Sequence, residues 1–189
     1  AIMGGGSNRH FLVEAGGHLM IRNLNLTDGN VNTTVKQDGS CFGGSVMVDG
    51  GRFTSFDSVL TMNTALEGGG IYGRTNAIVV LSKTNITHNH ACNGGGVYIR
   101  DATSSFVAKD AFIYGNIARF CPSYQDHFSL VRGGGISCDV SATCSITATT
   151  VKNNAANNGG GIYHVRGSLH VGNGSEIILN TADYGGGMY

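Results

Sequence analysis

The chain has 189 residues, a formal net charge of zero, 13% charged side chains, 31 glycines and a single proline. That balance excludes the basic footprint of a nucleic-acid binder and the polybasic patch of a membrane-surface protein. No apolar run approaches the roughly 20 residues that span a bilayer as a helix, and interior glycines, each costing about 1 kcal/mol against alanine, exclude long helices.

From the N-terminus, two apolar alternating runs, residues 11–19 and 21–27, precede a polar stretch at 30–41 that reads as an insertion. Phe42-Gly43-Gly44 then opens a series of glycine clusters. Gly68 to Gly94, Gly133 to Gly159 and Gly159 to Gly185 are each 26 residues apart, and Phe42-Gly43-Gly44 fills the same slot 26 residues before Gly68. The interval Gly94 to Gly133 is 39. A second marker accounts for it. Asn63, Asn89, Asn154 and Asn180 each stand five residues before their triplet, and Asn116 holds that place in the long interval. The long coil therefore carries one extra residue early and a 12-residue insertion at 121–132. A fixed period in this range is the signature of a solenoid.

Each period resolves into three short runs separated by Gly, Asn, Ser, Thr and Asp turns. The first starts at the triplet (68–72, 94–98, 159–163). The second covers 77–81 and its equivalents. The third carries an apolar-x-x-Asn element: Leu60 to Asn63, Ile86 to Asn89, Ile113 to Asn116, Val151 to Asn154 and Ile177 to Asn180. Three strands in constant order predict an all-β, right-handed parallel β-helix solenoid of about 26 residues per coil. Successive coils lie about 4.8 Å apart, so equivalent positions become ladders. Ile71, Val97, Ile136, Ile162 and Met188 form an inward apolar ladder; Asn63, Asn89, Asn116, Asn154 and Asn180 form an amide ladder at a bend. The triplets supply tight bends and close backbone approach. No Lys-Ser/Thr follows them and no G-x-G-x-x-G opens a helix, which argues against a nucleotide site.

The alternation of GGGIY or GGGVY with apolar-x-x-Asn resembles the polymorphic outer membrane protein repeat, in which GGA followed by Ile, Leu or Val pairs with F-x-x-N. Here Gly replaces the Ala, and Leu, Ile or Val replaces the Phe. Residues 11–19 and 21–27 resemble the opening of such β-helices, so the likeness spans nearly the whole chain. It implies a secreted or surface-displayed protein of the adhesin or autotransporter-passenger kind, and it specifies fold far more than activity. Residues 1–189 are expected to be one β-helix segment of a longer protein, because 185–189 reads as the first strand of an unfinished coil.

The five cysteines point to an oxidising compartment. Cys138 and Cys144 flank a turn within one coil, and Cys92 and Cys121 fall near the same corner of consecutive coils, so two disulfides are expected. Cys41 is left over. Neither pair has zinc-knuckle or thioredoxin spacing. Sequons occur at Asn25, Asn32, Asn85 and Asn173. If Leu26 and Ile86 point inward, Asn25 and Asn85 point outward.

Acids are scattered (Asp49, Asp57, Glu67, Asp101, Asp110, Asp139, Glu176, Asp183), none repeating in register, and each reads as a solvated turn residue rather than half of a catalytic pair. His88 and His90 flank Asn89 on what alternation makes one outward strand, without a His column to complete a metal site. No catalytic residue, cofactor or metal is expected. The insertion at 121–132 carries Tyr124, His127 and Phe128, a mixture suited to contacts on a rigid scaffold. The expected role is a non-enzymatic extracellular or cell-surface stalk, spacer or adhesive segment. Its expected partners are other segments or copies of the same protein, and cell-surface glycans or proteins. The alternatives are a subunit of an extracellular filament and a polysaccharide-active enzyme.

Overall fold

A computed structural model describes residues 1–6, 8–31, 41–119 and 131–189. Asn32, Cys121, Tyr124, His127 and Phe128 lie outside the described residues. Among those described, the chain is an all-β parallel β-helix with three strands per coil. Sheet 1 contains Phe11–Glu14, Val46–Asp49, Ile71–Arg74, Val97–Arg100, Ile136–Asp139 and Ile162–His164. Sheet 2 contains His18–Arg22, Arg52–Phe56, Ile78–Ser82, Ser105–Lys109, Thr143–Thr147 and Ser168–Val171. Sheet 3 contains Ile2–Met3, Asn25–Thr27, Val59–Thr61, Asn85–Thr87, Phe112–Tyr114, Thr150–Lys152 and Glu176–Ile178. Two short strands, His90–Ala91 and Ile117–Ala118, pair beyond sheet 3.

The core runs along the axis between the sheets. Ile71, Val97, Ile136 and Ile162 are buried in one column, Phe53, Val79, Phe106 and Cys144 in another, and Leu26, Leu60, Ile86, Ile113 and Val151 in a third. Burying each large side chain contributes about 1.5–3 kcal/mol. Met188 is in register with Ile162 but half exposed, since no further rung covers it among the described residues.

The register departs from the sequence reading at three places. Sheet 1 strands start at Ile71 and its equivalents, after the triplet rather than on it. The triplet is the corner itself: Gly68 has φ +64°, a Cβ on Gly69 would strike the His90 and Gly95 carbonyl oxygens of the next coil, and one on Gly70 would lie 3.3 Å from Asn89 Nδ2. Second, Val46 pairs with Ile71, so Gly43-Gly44-Ser45, not Phe42-Gly43-Gly44, answers Gly68-Gly69-Gly70, a step of 25. That coil turns its first corner on Gly50-Gly51, one residue fewer than the Thr75-Asn76-Ala77 corner of the next. Third, His88 and His90 do not share a strand, for Asn89 forms the corner between Asn85–Thr87 and His90–Ala91.

The other two corners turn on single left-handed residues. Asn23, Asp57, Lys83, Asp110 and Ala148 form one such column, and Asp28, Met62, His88, Asn153 and Leu179 another, with φ between 47° and 59°. Directly after the first column comes a hydroxyl ladder that the sequence reading missed. Ser58 Oγ accepts from Leu24 N and donates to Phe56 O, Thr84 Oγ1 donates to Ser82 O, and Thr149 Oγ1 accepts from Ala111 N and donates to Thr147 O. A Ser or Thr two residues before Leu60, Ile86, Val151 and Ile177 was the available signal.

Candidate functional site on the outer face of sheet 1

Strand alternation turns the residue after each inward apolar position of sheet 1 outward. Register places Leu12, Met47, Tyr72, Tyr98, Ser137 and Tyr163 in that column. An outward column is ordinarily wet, yet Met47 is 3% exposed, Tyr72 0% and Tyr98 5%. These three and Phe42 make an apolar cluster outside the helix core. The Phe42 and Tyr72 rings stack with centroids 4.7 Å apart, and Tyr98 meets Tyr72 edge-on at 5.6 Å, geometries that favour aromatic pairs. A smaller cluster of Cys41, Leu66 and Cys92 adjoins Phe42.

The next outward column is Glu14, Asp49, Arg74, Arg100 and Asp139, in register. The acids are therefore neither wholly scattered nor all solvated, because Asp139 is 6% exposed and Glu67, at the corner leading into the same face, is 2% exposed. Arg74 Nη2 donates to Asp49 Oδ2 at 2.8 Å. Tyr98 Oη and Arg132 Nη1 both donate to Asp139 Oδ2, at 3.1 and 3.2 Å. The Arg132 guanidinium also lies 5.1 Å over the Tyr163 ring, a cation–π arrangement.

These surroundings set the ionisation of the face. Burial, reinforced by the Glu67 charge, pushes the Tyr72 phenol up to about 12. Burial, then Glu67 and Asp139, pushes Tyr98 up as well. The hydrogen bond from Arg74 holds the Asp49 carboxyl below its ordinary value. Burial works against the Arg100 cation, but Tyr98, Tyr72 and Glu67 outweigh it and raise its pKa. Kept protonated, Tyr98 donates to Asp139, and neither tyrosine supplies a phenolate base near neutral pH.

The chain matches no protein-family model, no curated protein and no solved structure.

The remaining predicted residues are distributed over the fold. Cys138 and Cys144 form a disulfide inside the core, tying the strand Ile136–Asp139 of sheet 1 to Thr143–Thr147 of sheet 2 across one corner. Cys92 is disulfide-bonded; Cys121, assigned to it from sequence, lies outside the described residues. Asn25, Asn85 and Asn173 are exposed, the first two on the outer face of sheet 3.

Asn63, Asn89, Asn116, Asn154 and Asn180 stack in a single column. The side-chain oxygen of each of the last four accepts from the backbone N–H and the Nδ2 of the asparagine one coil before, all at 2.9–3.0 Å. Each Nδ2 also donates back to the carbonyl of Leu26, Leu60, Ile86, Ile113 or Val151 in the preceding coil. In the first coil Gly29 takes the asparagine slot and donates to Asn63 Oδ1 at 2.8 Å, since a Cβ there would lie 2.8 Å from the His10 ring. His10 stands where later coils have the third triplet glycine, and its ring bonds Ser45 Oγ and Thr27 O.

The sequence reading missed the tyrosine column, although its signal was present. Tyr72, Tyr98, Tyr163 and Tyr189 recur one residue after the inward position, a large aromatic where a wet face calls for a polar side chain.

Proposed function

We propose that this chain is a rigid, non-catalytic length of extracellular or cell-surface rod, a stalk or spacer whose coils carry load and hold contact surfaces at fixed spacing. The observation that carries this reading is the asparagine ladder. It runs unbroken from Asn63 to Asn180, across the coil that bears the long insertion, and joins each coil to the next by side-chain as well as backbone hydrogen bonds. Nearest-neighbour coupling of this kind makes a solenoid stiff along its axis. The core disulfide Cys138–Cys144 supports an oxidising, extracellular setting. The raised tyrosines of sheet 1 support a bracing rather than a catalytic role for that face. The resemblance to polymorphic outer membrane protein repeats, carried by the GGGIY and apolar-x-x-Asn pattern, belongs to the same proposal.

The test is to stain unpermeabilised producing cells with antibody against this chain and to map its thiols from the same cells. Surface staining with Cys138 and Cys144 bridged is the expected result. Detection only after permeabilisation, with both thiols reduced, overturns the reading. Release of reducing ends from a polysaccharide panel by the purified protein, lost on Glu67→Gln or Asp139→Asn, overturns its non-catalytic part.

A further inference from the structure

The outer face of sheet 3 brings an acceptor asparagine against an aromatic shelf. Asn85 opens the sequon Asn85-Ile86-Thr87 on the strand Asn85–Thr87. Ile86 is fully buried in the core, which turns Asn85 and Thr87 outward, and Asn85 is exposed. Its backbone is fixed, for Asn85 N donates to Ser58 O at 2.8 Å. In the next coil the register sets Phe112 directly beside Asn85 and Tyr114 beside Thr87. The Phe112 and Tyr114 rings are parallel to within 10° at 5.3 Å, and His88 meets Tyr114 edge-on at 5.3 Å. Both rings are half-buried, so this outer face carries apolar ring surface one rung from a free-standing amide. The other described sequons lack this neighbour: Asn25 faces Val59, and Asn173 lies in a turn before Gly174.

We propose that Asn85 carries an N-linked glycan whose first sugar packs against the Phe112–Tyr114 shelf. The inference rests on the extracellular reading above. In the transfer step, Asn85 Nδ2 attacks the anomeric carbon of a polyprenyl-diphosphate-linked oligosaccharide. The N–C bond forms, the C–O bond to phosphate breaks, the polyprenyl diphosphate leaves with the electron pair, and one amide proton is lost. An N-acetylhexosamine so attached has one face of C–H bonds, which the electron-rich face of an aromatic ring attracts as it does the positive edge of another ring. Thr87 remains a neighbour rather than a clash, because its hydroxyl is occupied by Thr61 Oγ1 at 3.1 Å. A glycan here also covers the outer face of sheet 3 and leaves sheets 1 and 2 for contacts.

The experiment uses protein purified from its own source. Enzymatic deglycosylation in heavy-oxygen water is followed by peptide mapping and by non-reducing mapping of Cys138 and Cys144. A heavy-oxygen-labelled aspartate at position 85 is expected. The glycosylated protein should melt about 2–4 °C above Asn85→Gln, and that difference should vanish in a Phe112→Thr background, a change the column accepts because Thr150 stands at the next rung. An unmodified Asn85 in protein whose Cys138–Cys144 bridge is intact overturns the glycan while leaving the extracellular reading in place. An unmodified Asn85 with both thiols reduced overturns both. A glycan whose melting increment survives Phe112→Thr overturns the shelf. Binding of free di-N-acetylchitobiose by protein with unmodified Asn85 reassigns the shelf to a foreign glycan and likewise overturns the proposal.

Discussion

Replacing Asn116 by alanine probes the ladder where it is most buried, since its side chain is fully enclosed. The change deletes four hydrogen bonds: those that Asn116 Oδ1 accepts from Asn89 N and Asn89 Nδ2, and those that Asn116 Nδ2 donates to Ile86 O and Asn154 Oδ1. Asn116 N keeps its own bond to Asn154 Oδ1. Two donors of Asn89 are left without an acceptor inside the protein. The two bonds that Asn116 donates cost about 1 kcal/mol net each, and the two buried Asn89 N–H groups left unmet cost about 1–3 kcal/mol each, so the expected destabilisation is about 4–8 kcal/mol. Asn180 is the internal control. It accepts from Asn154 and donates to Val151 O but is only half-buried, so water replaces much of what is lost and Asn180→Ala should cost about 1–2 kcal/mol. Urea unfolding gives the two energies, and amide exchange should show the Asn89 N–H opening first in Asn116→Ala. Equal costs for the two variants, or a cost below about 1.5 kcal/mol for Asn116→Ala, would refute the view that the ladder couples the coils.

Gly68→Ala places a Cβ on the Ile71 carbonyl at φ +64°, whereas Gly16→Ala, at φ +78°, meets open space; thermal melts should show a loss of more than about 3 kcal/mol for the first and about 1–2 for the second. Reducing Cys138–Cys144, which closes a six-residue separation, should lower stability by about 2 kcal/mol, read as a drop in the urea midpoint with reductant. His90 has its pKa lowered to about 4 by burial and then by the Arg119 charge. The unfolded chain, at about 6.5, binds the proton more readily, so His90 contributes stability that is full above pH 6.5 and lost as pH falls through 4. His90→Gln should flatten that part of the acid limb in pH-dependent melts.

The parts of this molecule legible in its sequence are those fixed by repetition. A constant Gly-to-Asn distance carried the coil register through the long interval, and the structure sets Leu60, Ile86, Ile113, Val151 and Ile177 in line accordingly. Where a corner changed length the pattern gave no warning: Phe42-Gly43-Gly44 looked like a triplet, but Gly50-Gly51 shortens that coil and moves the slot to Gly43-Gly44-Ser45. The left-handed corners were hidden because Lys83, Ala148, Met62 and Leu179 occupy positions where Asn, Asp or Gly would have announced them. The buried face of sheet 1 was hidden for a different reason. Alternation tells which side chains point away from the core, but not what lies over them, so Glu67 and Asp139 read as solvated and Tyr72 went unremarked.

The asparagine ladder also gives the rod an electrical direction. Backbone hydrogen bonds between parallel strands point alternately up and down the axis, so their dipoles largely cancel. The side-chain amides do not alternate: from Asn63 to Asn154 every Nδ2 donates forward and every oxygen faces back. Their dipoles add head to tail, and each bond polarises the next. Such a chain can be closed at its oxygen end only by a donor that has no amide of its own to place, which is what the Gly29 N–H provides beside the His10 ring. The two directions along the ladder are thus chemically unlike, with oxygens facing back toward Gly29 and Nδ2 groups facing forward, so a coil joins this column in register in one orientation only.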